Sequence, residues 1–354
     1  MAISTEKLGY GIVGCGIWGK VHAECLEETE EAKLVAVSNR SPQRGLELAQ
    51  KYHVDYYSDY REMLKRPDID LIDICVPSGQ HAEVAIDAAR AGKHVLVEKP
   101  IDITLERADR MIQACQEAGV KLSVIFQNRF TKGMIRLKRA AEAGDFGQLI
   151  LGDAINKSFR SQEYYDSGAW RGTWAIDGGG ALMNQSVHHV DLLLWIMGDV
   201  AEVQASTATL AHTNVEVEDA ALAILKFKNG ALGTLVATTD CYPGFSSRLE
   251  VHGTRGSAIV AGGNVQAWEV VREDEQIDPF AYLRGPRQFS PPPQDEVPSY
   301  RHYALRDQIR GVCQAVSEDK PVAVSGEEGR KALELVLAIY QAARTGQTVR
   351  LPLS

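Results

Sequence analysis

Two short stretches carry the residues best suited to chemistry. The first is HVLVEKPIDIT at 94–104, where Glu98, Lys99 and Pro100 follow an apolar β-branched run. A lysine leaving a strand end beside a cofactor is placed to take or give a proton. Nearby cations, the cofactor or burial can bring its pKa toward the working range. The second is GGGALMNQSVHHVDLLLW at 178–195: three glycines, an asparagine, two adjacent histidines, and an aspartate inside an apolar run. As a regular helix at about 100° per residue from Asn184, His188 falls near 40°, Asp191 near −20° and Trp195 near 20°. These four make one narrow stripe. His189 falls at about 140°, roughly 100° from His188. Only His188 therefore shares the stripe, with Asn184 and Asp191 a turn to either side to fix its ring and tautomer. Val187, Val190, Leu194 and Met197 form a second, apolar stripe for the core. A metal centre on His188 and Asp191 lacks a third ligand in the sequence, so none is expected. Gly178, Gly179 and Gly180 are expected to let backbone approach a ligand.

The elements that must position these residues follow from the pattern. Strand-like runs at 10–13, 33–39, 71–76, 95–98 and 121–127 alternate with helical stretches at 19–28, 42–52, 80–91 and 105–118. Strands apolar on both faces and separated by helices imply a parallel, doubly wound sheet, an α/β domain over 1–127. Beyond it, over 128–354, the rhythm changes. A helix at 132–143 and a strand at 148–158 precede the glycine-rich stretch. Strands at 202–210, 219–226, 231–239, 247–252 and 257–260 then come close together, joined by turns such as KNGA at 228–231 and GTRGS at 253–257. Asn-Gly tolerates positive φ, so KNGA suits a hairpin. This implies an α+β domain with an open, mostly antiparallel sheet. The Pro-rich segment 279–299 is expected to be an irregular loop. Helices at 300–317 and 327–345 close the chain, and they are able to pack back on the first domain.

The first strand runs into YGIVGCGIWGKVHAE, which holds Gly14-x-Gly16-x-x-Gly19. A strand before and a helix after are the context a dinucleotide-binding turn requires. The first glycine allows the tight turn, the second lets backbone approach a pyrophosphate, and the third lets helix pack on strand. The helix start, Ile17 and Trp18 included, then faces the phosphates. An acid is expected roughly 20 residues on for NAD. Asn39 stands there instead, flanked by Ser38, Arg40 and Arg44. Without the carboxylate a 2′-phosphate is not repelled, and an arginine can pair with it. NADP is thus favoured over NAD. CVPSGQHAE places Pro77, Ser78 and His81 at the end of the preceding strand, as cofactor contacts or, for Ser78, a helix start.

The chain of 354 residues carries a net charge of −9, which disfavours a phosphate-backbone partner. Six cysteines, none at CxxC spacing, show no zinc or dithiol motif. No signal peptide and no membrane-length apolar run are visible, so a cytoplasmic protein with reduced thiols is expected.

Taken together, the fingerprint, VP-S-x-x-H, V-E-K-P and GGG…H-x-x-D resemble the glucose–fructose oxidoreductase / inositol dehydrogenase / rhizopine-catabolism (Gfo/Idh/MocA) family over essentially the whole chain. The resemblance implies a Rossmann domain followed by a mixed-sheet domain. It also implies an NAD(P)-dependent dehydrogenase or reductase acting on a hydroxyl of a sugar, cyclitol or nucleotide-sugar. The family's lysine falls on Lys99, before a proline whose peptide is often cis; its Asp/Asn falls on Asn184 and its histidine on His188. Trp170 and Arg171, in AWRGTW, match a cofactor- or substrate-contacting element, and Arg129, in FQNRF, a substrate contact or a salt bridge. Lys99 would exchange the hydroxyl proton, His188 bond the same oxygen, Asn184 orient the substrate and Asp191 hold His188. Tyr164, Tyr165 and residues 240–245 are candidates for the pocket rim. Asn in place of the acid shifts the proton work to Lys99 and His188, and resembles a branch acting on nucleotide-linked amino-sugar acids. A non-catalytic sugar-sensing regulator and a redox-assisted glycosidase share the fold and are the alternatives. An open second sheet suggests a homodimer or homotetramer.

Overall fold

The computed structural model describes residues 7–271, 274–278, 280 and 300–353. All but one residue of the Pro-rich segment 279–299 lie outside them. The chain forms two compact units. The first comprises Met1–Gln127, Thr173–Gly178 and Arg301–Leu333, and the second the remainder.

In the first unit, β1 (Leu8–Val13), β2 (Ala32–Ser38), β3 (Asp55–Tyr57), β4 (Leu71–Ile74), β5 (His94–Val97) and β6 (Leu122–Val124) form one sheet. Its order is β3-β2-β1-β4-β5-β6, and every pairing is parallel. The crossovers are α1 (Ile17–Glu27), α2 (Pro42–Tyr52), α3 (Tyr60–Leu64), α4 (His81–Arg90) and α5 (Leu105–Ala118). β1 and β4 are buried along their whole length, which explains their unbroken apolar runs. The closing helix α9 (Tyr300–Ser317) adds Leu305, Ile309, Val312 and Cys313 to the core under Tyr10, Leu71 and Leu96. The sequence pattern does not announce β3 and α3; at three and five residues they are too short to show a period.

The second unit holds α6 (Lys132–Ala143), β7 (Leu149–Lys157), α7 (Gln162–Asp166), α8 (Val187–Met197), β8 (Val200–Ala208), β9 (Ala220–Phe227), β10 (Leu232–Thr238), β11 (Arg248–Gly253), β12 (Gly256–Ala261) and β13 (Asn264–Val270). Helix α10 (Gly326–Thr345) runs into it, followed by β14 (Val349–Arg350). The sheet order is β13-β12-β11-β7-β10-β9-β8-β14, antiparallel except for the parallel pair β7–β10. β9 alternates buried and exposed residue by residue, so one face is covered and the other open. Leu222, Ile224 and Leu232 lie on the open face, 57%, 61% and 53% exposed. Edge strands β13 and β14 were not foreseen: β13 has no fully buried position, and β14 has two residues. Among the described residues no helix is long and apolar enough to cross a membrane.

Candidate active site

The three fingerprint glycines have three different local reasons. Gly14 sits at φ 106°, and a methyl there would lie 2.5 Å from the Cys75 carbonyl. A methyl on Gly19 would lie 2.0 Å from the Gly14 carbonyl, so the start of α1 could not close on the loop. A methyl on Gly16 meets nothing within 4 Å. Packing therefore demands glycine at 14 and 19 but not at 16, where the free space is a cradle that a side chain would fill and a diphosphate can approach. The loop is braced by backbone and side chain: the Gly14 amide donates to the Ser38 carbonyl at 2.8 Å, and the Cys15 amide to Asn39 Oδ1 at 3.0 Å. Asn39 Nδ2 in turn donates to the Ser41 carbonyl at 2.9 Å. Arg40 and Arg44 are exposed, with Arg40 Nη2 donating to Gln80 Oε1 at 3.3 Å.

Lys99 follows the carboxyl end of β5, two strands from β1 in the same parallel sheet, so it leaves the sheet at the end where the glycine loop lies. It is half-buried, and its peptide to Pro100 is cis. His81, Ser78 and Glu98, all expected beside the cofactor, also build this corner. The buried His81 ring lies 2.9 Å from both the Val76 and the Pro100 carbonyls, stapling the loop after β4 to the loop after β5. Burial holds its pKa below the ordinary histidine range. Ser78 opens a single 3₁₀ turn, Ser78–Gln80, after Pro77. Glu98 is buried, its Oε2 accepting the Lys99 backbone N–H at 3.0 Å and its Oε1 lying 3.0 Å from His22 Nε2. His22 Nδ1 faces Asp73 Oδ2 at 2.7 Å, and the Tyr10 hydroxyl donates to that same oxygen at 2.7 Å. Burial alone would strip the His22 proton, but the Asp73 carboxylate overrides it and its pKa stands well above the ordinary value. Burial likewise opposes the Glu98 charge, yet His22 holds that carboxyl below its usual range. His22 thus stands between two buried carboxylates, Asp73 and Glu98, the second of which also accepts the Lys99 backbone N–H.

In the second unit, Asn184 does not lie on a regular α-helix. Residues Ala181–Ser186 form one π-helical turn, and α8 starts at Val187. The single stripe through Asn184, His188 and Asp191 is therefore corrected: the wider turn breaks the 100° step between Asn184 and His188. Within α8 that step holds. His188 is half-exposed, whereas His189 is buried, lining a small cavity with Asn128, Thr131 and Met134.

The glycine triplet is also accounted for by packing. A methyl on Gly178 would lie 2.4 Å from Ile103 Cγ2, one on Gly179 2.1 Å from the Tyr340 hydroxyl, and one on Gly180 1.8 Å from the Glu218 carbonyl. Glu218, buried, accepts the Gly180 N–H at 3.0 Å, the Leu182 N–H at 2.8 Å and the Tyr340 hydroxyl at 2.9 Å. Burial nonetheless pushes its carboxyl up to about 7.

Asn184 Oδ1 accepts from Gln185 Nε2 at 3.3 Å, and that amide also donates to the Tyr164 hydroxyl at 3.0 Å. Arg160 Nη2 donates to Gln185 Oε1 at 2.7 Å. The Arg171 guanidinium lies 4.2 Å over the Tyr164 ring and 4.6 Å over that of Trp170. Tyr165 is buried under His212, rings 4.5 Å apart, while Tyr242 and Phe245 stand exposed. Arg129 and Asp191, to which sequence gave separate roles, form one buried bidentate ion pair, with Nε and Nη2 donating at 2.8 and 2.6 Å. The Arg129 guanidinium also lies 5.1 Å from the Trp195 ring.

His22, Asp73, Glu218 and Tyr340, which brace the surroundings of Lys99 and of Ala181–Ser186, do not stand out in the sequence as a group. Asp73 had a signal, a charge inside the apolar run 71–76; Glu218 and Tyr340 had none that a local pattern could reveal.

Residues 8–126 match a model of an oxidoreductase family with an NAD-binding Rossmann fold, and residues 134–259 match a GFO/IDH/MocA C-terminal domain. The chain is 31% identical over 346 residues to myo-inositol 2-dehydrogenase of Thermotoga maritima, covering 96% of this chain and 98% of that protein. It is similar to the WlbA dehydrogenase of Bordetella pertussis, solved with NADH and UDP-GlcNAcA: 33% identity, TM-score 0.86, 99% of this chain and 100% of that one. It is also similar to levoglucosan dehydrogenase, solved with NADH and levoglucosan: 26% identity, TM-score 0.85, 98% and 100% covered. The parallel sheet with its glycine turn, the lysine at the end of β5 and the matches across both units show that this chain belongs to the Gfo/Idh/MocA oxidoreductase family.

Proposed function

We propose that this enzyme moves a hydride between a nicotinamide dinucleotide and the carbon of a secondary hydroxyl on a sugar, cyclitol or nucleotide-linked sugar. The observation that carries the reading is Lys99, an amine at the same carboxyl edge of the parallel sheet as the glycine loop. The loop around Gly14, Gly16 and Gly19, with Ile17 and Trp18, would hold the diphosphate. Ser38, Asn39 and Arg40 would meet the adenosine ribose, with Pro77 and Ser78 beside them. The nicotinamide, when bound, supplies the hydride acceptor or donor. Lys99 Nζ takes the hydroxyl proton in oxidation and returns it in reduction. His188, the half-exposed histidine of α8, hydrogen-bonds the reacting oxygen, and Asn184 orients the substrate without accepting a proton. The Arg129–Asp191 pair holds α8, which presents His188.

A nucleotide-linked sugar acid is the first substrate to try. The guanidinium–aromatic wall of Arg171, Tyr164 and Trp170 offers both charge and ring faces, and the full-length likeness to a dehydrogenase solved with UDP-GlcNAcA supports it. A panel of UDP-GlcNAcA, myo-inositol, levoglucosan and simple aldoses, followed by nicotinamide absorbance, tests the reading. Net cofactor reduction with at least one alcohol is expected. Tight cofactor binding with no turnover across the panel would favour the regulator instead.

We further infer that NADP is favoured over NAD, because no carboxylate stands at Asn39 and Arg40 and Arg44 are exposed beside it. Paired dissociation constants test this, and equal or tighter binding of NAD overturns it. The exposed Leu222, Ile224 and Leu232 support a homodimer or homotetramer through the open sheet face. The six unpaired cysteines support a reducing, cytoplasmic setting.

A further inference from the structure

Among the described residues no cation pairs with the buried Glu218 carboxylate, and desolvation costs several kcal/mol unless hydrogen bonds replace water. Glu218 meets that need with backbone. It caps the first turn of the π-helical segment through the Gly180 and Leu182 amides, and the Tyr340 hydroxyl completes its shell. The same hydroxyl accepts the Met183 N–H at 3.3 Å, so three amides at the start of the turn end on this pair. Glycines at 179 and 180 are the condition for the approach: a side chain at either would strike Tyr340 or the Glu218 backbone. Within the turn, the Asn184 amide closes on the Gly180 carbonyl at 3.0 Å. Asn184 therefore hangs one turn from the cap. Its side chain is short, so the backbone path that the cap dictates also dictates where the carboxamide stands. π-turns cost hydrogen-bond quality and recur at functional sites, which fits a turn held open for one residue.

We propose that Glu218 and Tyr340 are the positioning residues for Asn184, setting the π-turn that aims its carboxamide at the substrate. This rests on the substrate role given to Asn184 above, and the experiment has one arm that does not. In that arm, ¹⁵N-asparagine labelling follows the Asn184 carboxamide, identified by its loss in Asn184→Asp. The isosteric Glu218→Gln and the milder Tyr340→Phe should shift or broaden that resonance pair while leaving in place the pair of the exposed Asn264, at the start of β13. An unmoved Asn184 resonance in both variants overturns the proposal. In the kinetic arm, with UDP-GlcNAcA and myo-inositol as probes, Glu218→Gln should lower kcat by ~10-fold or more, since an ångström of misplacement can cost up to 10²-fold. In an Asn184→Ala background the same change should cost less than about 2-fold, because residues acting through one group are not additive. Full, multiplicative losses in both backgrounds would show a general structural role and refute the proposal. Silence of the unmodified enzyme on both probes would count against the substrate reading alone, with the resonance arm still deciding the position of Asn184.

Discussion

The charge state of Glu218 makes a quantitative prediction about stability and pH. Burial raises its carboxyl from 4.5 to about 7, although three donors favour the charged form. Desolvation wins because, among the described residues, no cation lies against it. Between those two values the folded chain holds a proton that the unfolded chain has released, so stability falls as pH rises through the window, and the full cost is present above pH 7. At ~1.4 kcal/mol per unit, the shift to about 7 amounts to about 3 kcal/mol. Glu218→Gln has no group to ionise and should lack this slope. At pH 4.5 the wild type gains from its intact acceptors, and the variant carries an amide facing the Gly180 N–H. By pH 8 the balance should move toward the variant by about 3 kcal/mol, on the order of 5–10 °C in Tm for a unit of this size. Thermal melts of both proteins at half-unit steps from pH 4.5 to 8 measure it. A difference in Tm that stays constant across the range would refute the account of Glu218 as a buried group titrating near neutrality.

Other consequences are direct. Gly16→Ala should leave Tm unchanged yet weaken NADH and NADPH binding at least ~10-fold by fluorescence titration, whereas Gly19→Ala, driven into the Gly14 carbonyl, should lower Tm first. His22→Leu strands Asp73 and Glu98 as buried carboxylates without their shared cation. Urea unfolding should show a loss of about 3–5 kcal/mol. Leu222→Lys with Ile224→Glu on the open sheet face should yield a lighter species in sedimentation velocity at unchanged circular dichroism.

What the sequence made legible was local. The βαβ alternation and the glycine turn can be read because strand and helix periods and the demand for positive φ act over a few residues. His188 and His189 both fall inside α8, where the 100° step is real and leaves the first half-exposed and the second buried. The stripe drawn back to Asn184 does not survive. It assumed an α-helix where Glu218 and Tyr340, 34 and 156 residues further along the chain, pull the backbone into a π-turn. The triad His22, Asp73 and Glu98 was invisible for the same reason: separations of 51 and 76 residues leave no pattern in any window. The ion pair of Arg129 with Asp191 joins residues 62 apart, a distance over which no local pattern could name Asp191 as the partner in the salt bridge that was one reading of Arg129. Edge strands escaped because a half-exposed strand has no apolar run to show.

The central claim is that Lys99 exchanges the proton of the reacting hydroxyl. Single-turnover hydride transfer in Lys99→Ala, monitored at the nicotinamide absorbance with the best alcohol of the panel and saturating cofactor, tests it most directly. The account predicts a rate at least ~10²-fold below wild type with cofactor affinity retained, and a loss that shrinks as pH rises and hydroxide takes over the base's work. Turnover within a few-fold of wild type at neutral pH would contradict it.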